Sequence, residues 1–138
     1  MKKLSLALVL SIALLPALAV GQSIFSYWAI NHAPAATTQA TIARAATTGA
    51  RHVAKHLTVC VTEVAAQPAL AFNLRDGATG AGTVVWTASL SAAAGTSQCV
   101  AADVDIIGTA NTAMTLESAA APASTNLATV SLNGFDTY

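Results

Sequence analysis

The segment at residues 73–86, NLRDGATGAGTVVW, decides how this chain is interpreted, because three glycines within six residues separate two runs of alternating apolar and polar side chains. A dinucleotide-binding loop has the spacing G-x-G-x-x-G and opens a helix, whereas here the spacing is reversed and a strand-like run follows. A Walker loop requires Gly-Lys-Ser/Thr, which this segment lacks. Turn chemistry therefore predicts a β-hairpin rather than a phosphate cradle, with Asp76, Gly77, Gly80 and Gly82 as the hairpin-loop residues.

Period-two alternation extends on both sides of this hairpin. Leu70, Phe72 and Leu74 fall on one face of the preceding run, and Leu57, Val59 and Val61 fall on one face of an earlier one, as half-buried strands require. Further short runs, separated by Gly, Pro, Asn and Ser clusters, bring the total to about seven or eight strands. A helix over residues 39–57 is the alternative there, weakened by Gly49. The pattern predicts an all-β, antiparallel β-sandwich, jelly-roll-like, preceded by an N-terminal apolar helix.

The N-terminus has a pattern of its own. Two lysines precede an apolar run, then Pro16 and small residues, which is typical of a signal peptide cleaved after Ala19 or Gly21. The alternative is an uncleaved anchor, since the seventeen residues from Leu4 to Val20 carry no charge. We therefore divide the chain into three parts: a signal-like or anchor segment at 1–21, a connecting arm at 22–36 and the β-sandwich domain at 37–138.

Charge makes nucleic acid an unlikely class of partner. Only 9% of the residues are charged, and residues 22–138 hold four basic and six acidic side chains, a net charge of 4 − 6 = −2. A protein that binds DNA or RNA needs a basic stripe to displace phosphate counterions, so we expect no nucleic acid partner. Strands with few charges have little protection against edge pairing, and a homo-oligomer is therefore expected.

Catalytic and metal-binding patterns are weak. His52 and His56 are four residues apart but lack the glutamate of a zinc-protease motif, and in a strand they lie about 13 Å apart. No calcium-binding loop and no G-x-S-x-G nucleophile turn is present, and Trp86 sits at a core position of an alternating run. Four acidic residues that could approach one another in the fold are assigned as solvated side chains: Asp103, Asp105, Glu117 and Asp136. We expect no enzymatic activity, no catalytic residues, no metal site and no cofactor.

The two cysteines leave two alternatives open. Cys60 and Cys99 have no CxxC spacing, which excludes a zinc knuckle or a thioredoxin-type motif. In an exported chain they are expected to form one disulfide, and in a chain that stays in the cytoplasm they are expected to be buried thiols.

Three segments carry a family resemblance: RDGATGAG at residues 75–82, GTANTAMTLE at residues 108–117 and the terminal GFD at residues 134–136. Together they resemble small β-sandwich virion structural proteins of tailed phages and prophages, over about residues 36–138. The resemblance implies a virion decoration or surface module without enzymatic activity, which binds other virion proteins and copies of itself. By analogy to virion projections, the first guess for the homo-oligomer is a trimer. The first 35 residues depart from that pattern.

The signal-like segment supports an alternative function. In that case the chain is an exported β-sandwich binding or adhesin-like module, delivered by a cleaved signal peptide and located outside the cell or in the cell envelope. Contact with a membrane is expected only if the N-terminal segment is retained.

Overall fold

The computed structural model describes residues 25–138, and this part of the chain forms eight β-strands. Their bounds are β1 Phe25–His32, β2 Thr41–Arg44, β3 Arg51–Thr62, β4 Gln67–Asp76, β5 Thr83–Ala92, β6 Ser97–Ile107, β7 Met114–Ser118 and β8 Leu127–Thr137. Within residues 25–138 no helix is long and apolar enough to cross a membrane. The signal-like or anchor segment at 1–21 and the N-terminal helix expected there lie outside the described residues.

The strands form two four-stranded antiparallel sheets. Sheet A has the order β1-β8-β3-β6, and sheet B has the order β2-β7-β4-β5. The pairs β4 with β5, β3 with β6, β2 with β7 and β1 with β8 are nested, as in one long hairpin rolled up on itself. This pairing is typical of a jelly roll. The predicted all-β architecture is confirmed, with eight strands in two antiparallel sheets.

The structure differs from the expectation of a connecting arm at residues 22–36. Residues 25–32 form β1, which pairs with β8 along its whole length, from Phe25 opposite Thr137 to His32 opposite Val130. The physical reason is alternation, because Trp28 and Ile30 pack against the core while Tyr27, Ala29 and Asn31 are exposed.

The core lies between the two sheets. Leu57, Val59 and Val61 of β3 are fully buried, as their alternation predicted. The β4 side chains Leu70, Phe72 and Leu74 are likewise buried and belong to the same cluster, against which Trp86 packs partly buried. Each such side chain contributes about 1.5–3 kcal/mol through burial.

The alternative of a helix over residues 39–57 is wrong. This range contains β2 and the first half of β3, separated by a turn at Gly49. Gly49 has a φ of +79°, a conformation that glycine adopts without a side-chain clash and that interrupts a helix.

Candidate functional site

The glycine-rich loop covers a neighbouring strand, while its own residues 78–82 are exposed to solvent. Thr115 and Glu117 point to the outer face of β7, yet they are 0% and 1% exposed. The Thr115 hydroxyl donates to the Gly77 carbonyl oxygen at 2.8 Å. Glu117 accepts two hydrogen bonds, from the Gly80 N–H at 3.0 Å and from Arg75 Nε at 2.5 Å. Both faces of β7 are therefore buried, the outer one by this loop.

Close backbone packing inside the loop explains its glycines. Gly77 and Gly82 approach each other so closely that a Cβ on Gly77 would lie 2.6 Å from the Gly82 Cα. A Cβ on Gly82 would overlap the Asp76 carbonyl oxygen. The Asp76 carboxylate accepts hydrogen bonds from the Thr109 N–H and hydroxyl, which ties the loop to the β6–β7 connection. The four predicted hairpin-loop residues thus end β4 and join it to β5. Their polar groups form hydrogen bonds with other residues of the chain.

A buried carboxylate joins four strands at one end of the sandwich. Asp136, on β8, is 0% exposed. It accepts hydrogen bonds from Trp28 Nε1 at 2.7 Å, from His52 Nδ1 at 2.7 Å and from the Arg44 guanidinium. Burial raises the pKa of Asp136, but the hydrogen bonds from Arg44, His52 and Trp28 outweigh it and hold the pKa below its usual value. The same contact raises the pKa of Arg44. The ion pair is therefore preserved over the physiological pH range.

The Asp136–His52 pair resembles part of a hydrolase triad, but its geometry is structural. The second ring nitrogen of His52, Nε2, lies 2.9 Å from the Ala45 carbonyl oxygen. His52 is 1% exposed, so both of its nitrogens are occupied and neither is available to a nucleophile. The cluster of Trp28, Arg44, His52 and Asp136 joins β1, β2, β3 and β8 through these hydrogen bonds.

The two histidines that are four residues apart in sequence lie on opposite faces of sheet A. A bulge between Ala54 and His56 shifts the register, and His56 pairs on the outer face with Asp103 at 2.7 Å. Asp105 pairs there with Lys55 at 3.0 Å. The expectation that Glu117 and Asp136 are solvated is wrong, because both are buried and hydrogen-bonded to their own partners, away from these exposed carboxylates. Among the described residues no group of three or more His, Cys, Asp or Glu side chains is arranged to hold a metal ion.

The two cysteines form a disulfide in the structure. Cys60 on β3 and Cys99 on β6 stand directly opposite each other, with their Cα atoms 4.1 Å apart. The bond links the edge strand β6 to the centre of sheet A. Cys99 lies on the exposed outer face, so the disulfide is in contact with solvent.

An aromatic patch on the outer face of sheet A is the feature that the sequence analysis missed. The patch consists of Phe25, Tyr27 and Phe135. The ring centroid of Phe135 lies 5.1 Å from that of Phe25 and 5.7 Å from that of Tyr27. Tyr27 is 79% exposed. An open groove of about 650 Å³ runs beside the patch and is also lined by Lys55 and Asn133. The alternation of FSYWAINH was the signal that could have placed these rings on a strand.

No protein-family model and no curated protein matches this chain. Among solved structures it is similar to the coat protein of Tobacco streak virus, with 12% identity, a TM-score of 0.34 and coverage of 78% of this chain and 84% of that chain. It is also similar to a Bacillus endospore appendage protein from a family of disulfide-linked pili, with 18% identity, a TM-score of 0.28 and the same two coverages, 78% and 84%. At these TM-scores neither likeness establishes a shared function.

Proposed function

We propose that this chain is a non-enzymatic virion structural protein, a capsid decoration or surface-projection module that docks on the particle and associates with copies of itself. The observation that carries the proposal is the aromatic patch. Its tyrosine is 79% exposed, and the Tyr27 ring lies against the Phe135 ring on the same face of sheet A. Contiguous exposed aromatic surface marks protein contact sites, where Tyr and Phe are enriched. The resemblance of residues 36–138 to virion surface modules supports the choice of a virion.

The groove beside the patch fits a protein partner better than a small ligand. It is open along the sheet, and it combines the Tyr27 and Phe135 rings with the Lys55 ammonium group and the Asn133 amide. An apolar centre with a polar rim is the usual composition of a protein interface. Lys55 is itself 48% exposed and already paired with Asp105, so it contributes orientation more than affinity.

The test is the composition of purified particles. The chain should be present at a stoichiometric copy number, and a Tyr27→Ser variant should be incorporated at least about tenfold less, as expected when a central aromatic contact is lost. Val64→Ser is the matched control, because Val64 is 69% exposed and lies away from the patch. Absence of the chain from particles would refute the virion assignment.

An exported binding or adhesin-like module is the second candidate, and the disulfide favours it. Cys99 is exposed, and an exposed disulfide persists in an oxidising compartment but is reduced in the cytoplasm. Intact-mass measurement of the assembled protein distinguishes the candidates. Loss of about 20 N-terminal residues supports export by a cleaved signal peptide, whereas a full-length mass supports a retained anchor.

A further inference from the structure

Within residues 25–138, each sheet has one edge strand that carries charge or is very short and one edge strand without such protection against pairing. At the edge of sheet A formed by β6, Asp103 and Asp105 provide charge, and the edge of sheet B formed by β2 is four residues long and ends at Arg44. Charge and shortness are the usual means by which edge strands avoid pairing with another chain. The opposite edges, over residues 26–31 of β1 and residues 86–90 of β5, contain neither a charged residue nor a proline.

The unprotected edges have regular backbones of similar length. Residues 26–31 pair with β8 in unbroken register, and residues 86–90 pair with β4 in unbroken register. A bulge at Val85 and an irregularity opposite residues 67–70 confine the regular part of β5 to this stretch. An edge strand uses one side of its backbone for its neighbour, so half of the N–H and C=O groups of each stretch point away from the described sheet.

These two edges lie on opposite sides of the molecule. Across the sandwich β1 is next to β2, and β5 is next to β6. The unprotected edge of sheet A, β1, therefore lies on one side of the sandwich. The unprotected edge of sheet B, β5, lies on the other side. The two edges are also unlike in side-chain size: β1 presents the Tyr27 ring, whereas β5 presents Thr87 and Ser89.

We propose that copies of this chain join head to tail, with β5 of one copy pairing with β1 of the next so that a sheet continues across the contact. This inference rests on the proposed function in that it requires self-association. The small Thr87 and Ser89 side chains of β5 leave room beside the exposed Tyr27 ring of β1, so the two backbones can approach closely. A contact between unlike surfaces forms a closed ring when its rotation permits closure, as in a trimer, and an open chain otherwise.

Two variants that each block one edge test this arrangement. Ala29→Lys places an ammonium group in the middle of the β1 edge, and Ser89→Lys does the same for β5, both at exposed positions. The measurement is the mass of assembled species by size-exclusion chromatography with light scattering. Wild type should form multimers, and each variant alone should be a monomer. An equimolar mixture should form a heterodimer of twice the monomer mass, because each variant retains the edge that the other has lost.

Two further lysine variants serve as controls. Ser131→Lys places the same charge on the same face as Ala29, one strand further in and directly opposite Asn31, and Ala101→Lys adds a charge to the protected β6 edge. Both should assemble like wild type. Far-ultraviolet circular dichroism checks that every variant is folded, and Asn31→Lys replaces Ala29→Lys if the latter fails to fold.

The outcomes separate this inference from the proposed function. Dimers of either blocked variant alone would show that like edges pair, and assembly of both variants as in wild type would show that the edges are not used. Either result, or a monomeric wild type, overturns the head-to-tail arrangement. The virion assignment fails separately, through absence of the chain from purified particles.

Discussion

Asp136 is a buried carboxylate that receives hydrogen bonds from three other strands, and we expect its replacement to be costly. In Asp136→Asn an amide replaces one acceptor oxygen, which leaves the Arg44 and His52 donors without a charged partner. The free energy of unfolding should fall by about 3 kcal/mol, as when a buried ion pair loses one member. Urea unfolding measures this loss. Asp103→Asn is the control, since Asp103 is exposed, and equal midpoints for the two variants would contradict a stabilising role for the buried cluster.

The pH dependence of stability should report the same carboxylate. The pKa of Asp136 is lowered from 3.8 in the folded chain, since the hydrogen bonds it accepts outweigh the effect of burial. The unfolded state then binds the proton more readily. Asp136 therefore stabilises the fold above its unfolded pKa, and this contribution is lost as the pH falls through the lower, folded pKa. Urea midpoints measured at decreasing pH should drop more steeply below 3.8 in wild type than in Asp136→Asn, whereas parallel curves would count against this assignment.

Two glycines of the same loop should differ in their tolerance of a side chain. Both have positive φ, +68° at Gly80 and +79° at Gly82, so alanine at either position costs about 1–2 kcal/mol of backbone strain. At Gly82 the new methyl group would also overlap the Asp76 carbonyl oxygen, whereas at Gly80 it meets open space. Thermal unfolding should show a clearly larger loss for Gly82→Ala than for Gly80→Ala. Similar losses would indicate that the loop relaxes to accept the methyl group.

At the level of strands, the disulfide fastens the edge strand β6 to the centre of sheet A. It closes a segment with a sequence separation of 39, so restriction of the unfolded chain predicts about 3–4 kcal/mol of stabilisation. The variant in which alanine replaces both cysteines should have a lower urea midpoint than wild type, by an amount that corresponds to this stabilisation. A reductant should have the same effect on wild type and none on the double variant. A wild-type midpoint unaffected by reductant would show that the bond contributes little.

The strands differ in how far the sequence could predict them. β3 and β4 show clean alternation, and Asp-Gly marks the turn after β4, so local chemistry was sufficient. β1 was missed because its aromatic residues follow an apolar segment and were assigned to an arm. β7 could be recognised as a strand, but Thr115 and Glu117 have the alternation of a solvent-exposed face. Their burial depends on a loop 37 to 38 residues earlier in the sequence, which no local pattern encodes.

At the scale of the whole molecule, the fold class could be predicted but the polar cluster could not. Hydrophobic periodicity determines that strands form and which face they bury. The contact between Trp28 and Asp136 spans 108 residues and exists only because β1 and β8 are neighbours in sheet A. Few charges in the sequence predicted weak protection against edge pairing, whereas the identity of the two unprotected edges required the strand order.

The proposed head-to-tail contact implies a particular response of assembly to salt. The two stretches that meet, residues 26–31 and 86–90, contain no charged residue, and the net charge of residues 22–138 is only 4 − 6 = −2. Raising ionic strength from about 0.1 M to about 1 M shortens the Debye length from about 10 Å to about 3 Å, which weakens contacts between exposed charges. Backbone hydrogen bonds and apolar contacts between uncharged strands should be little affected. The concentration at half-assembly, measured by light scattering, should therefore change less than about threefold over this range. A tenfold rise would instead indicate that charged groups such as Lys55 and Asp105 form the contact, and would assign assembly to the outer face of sheet A.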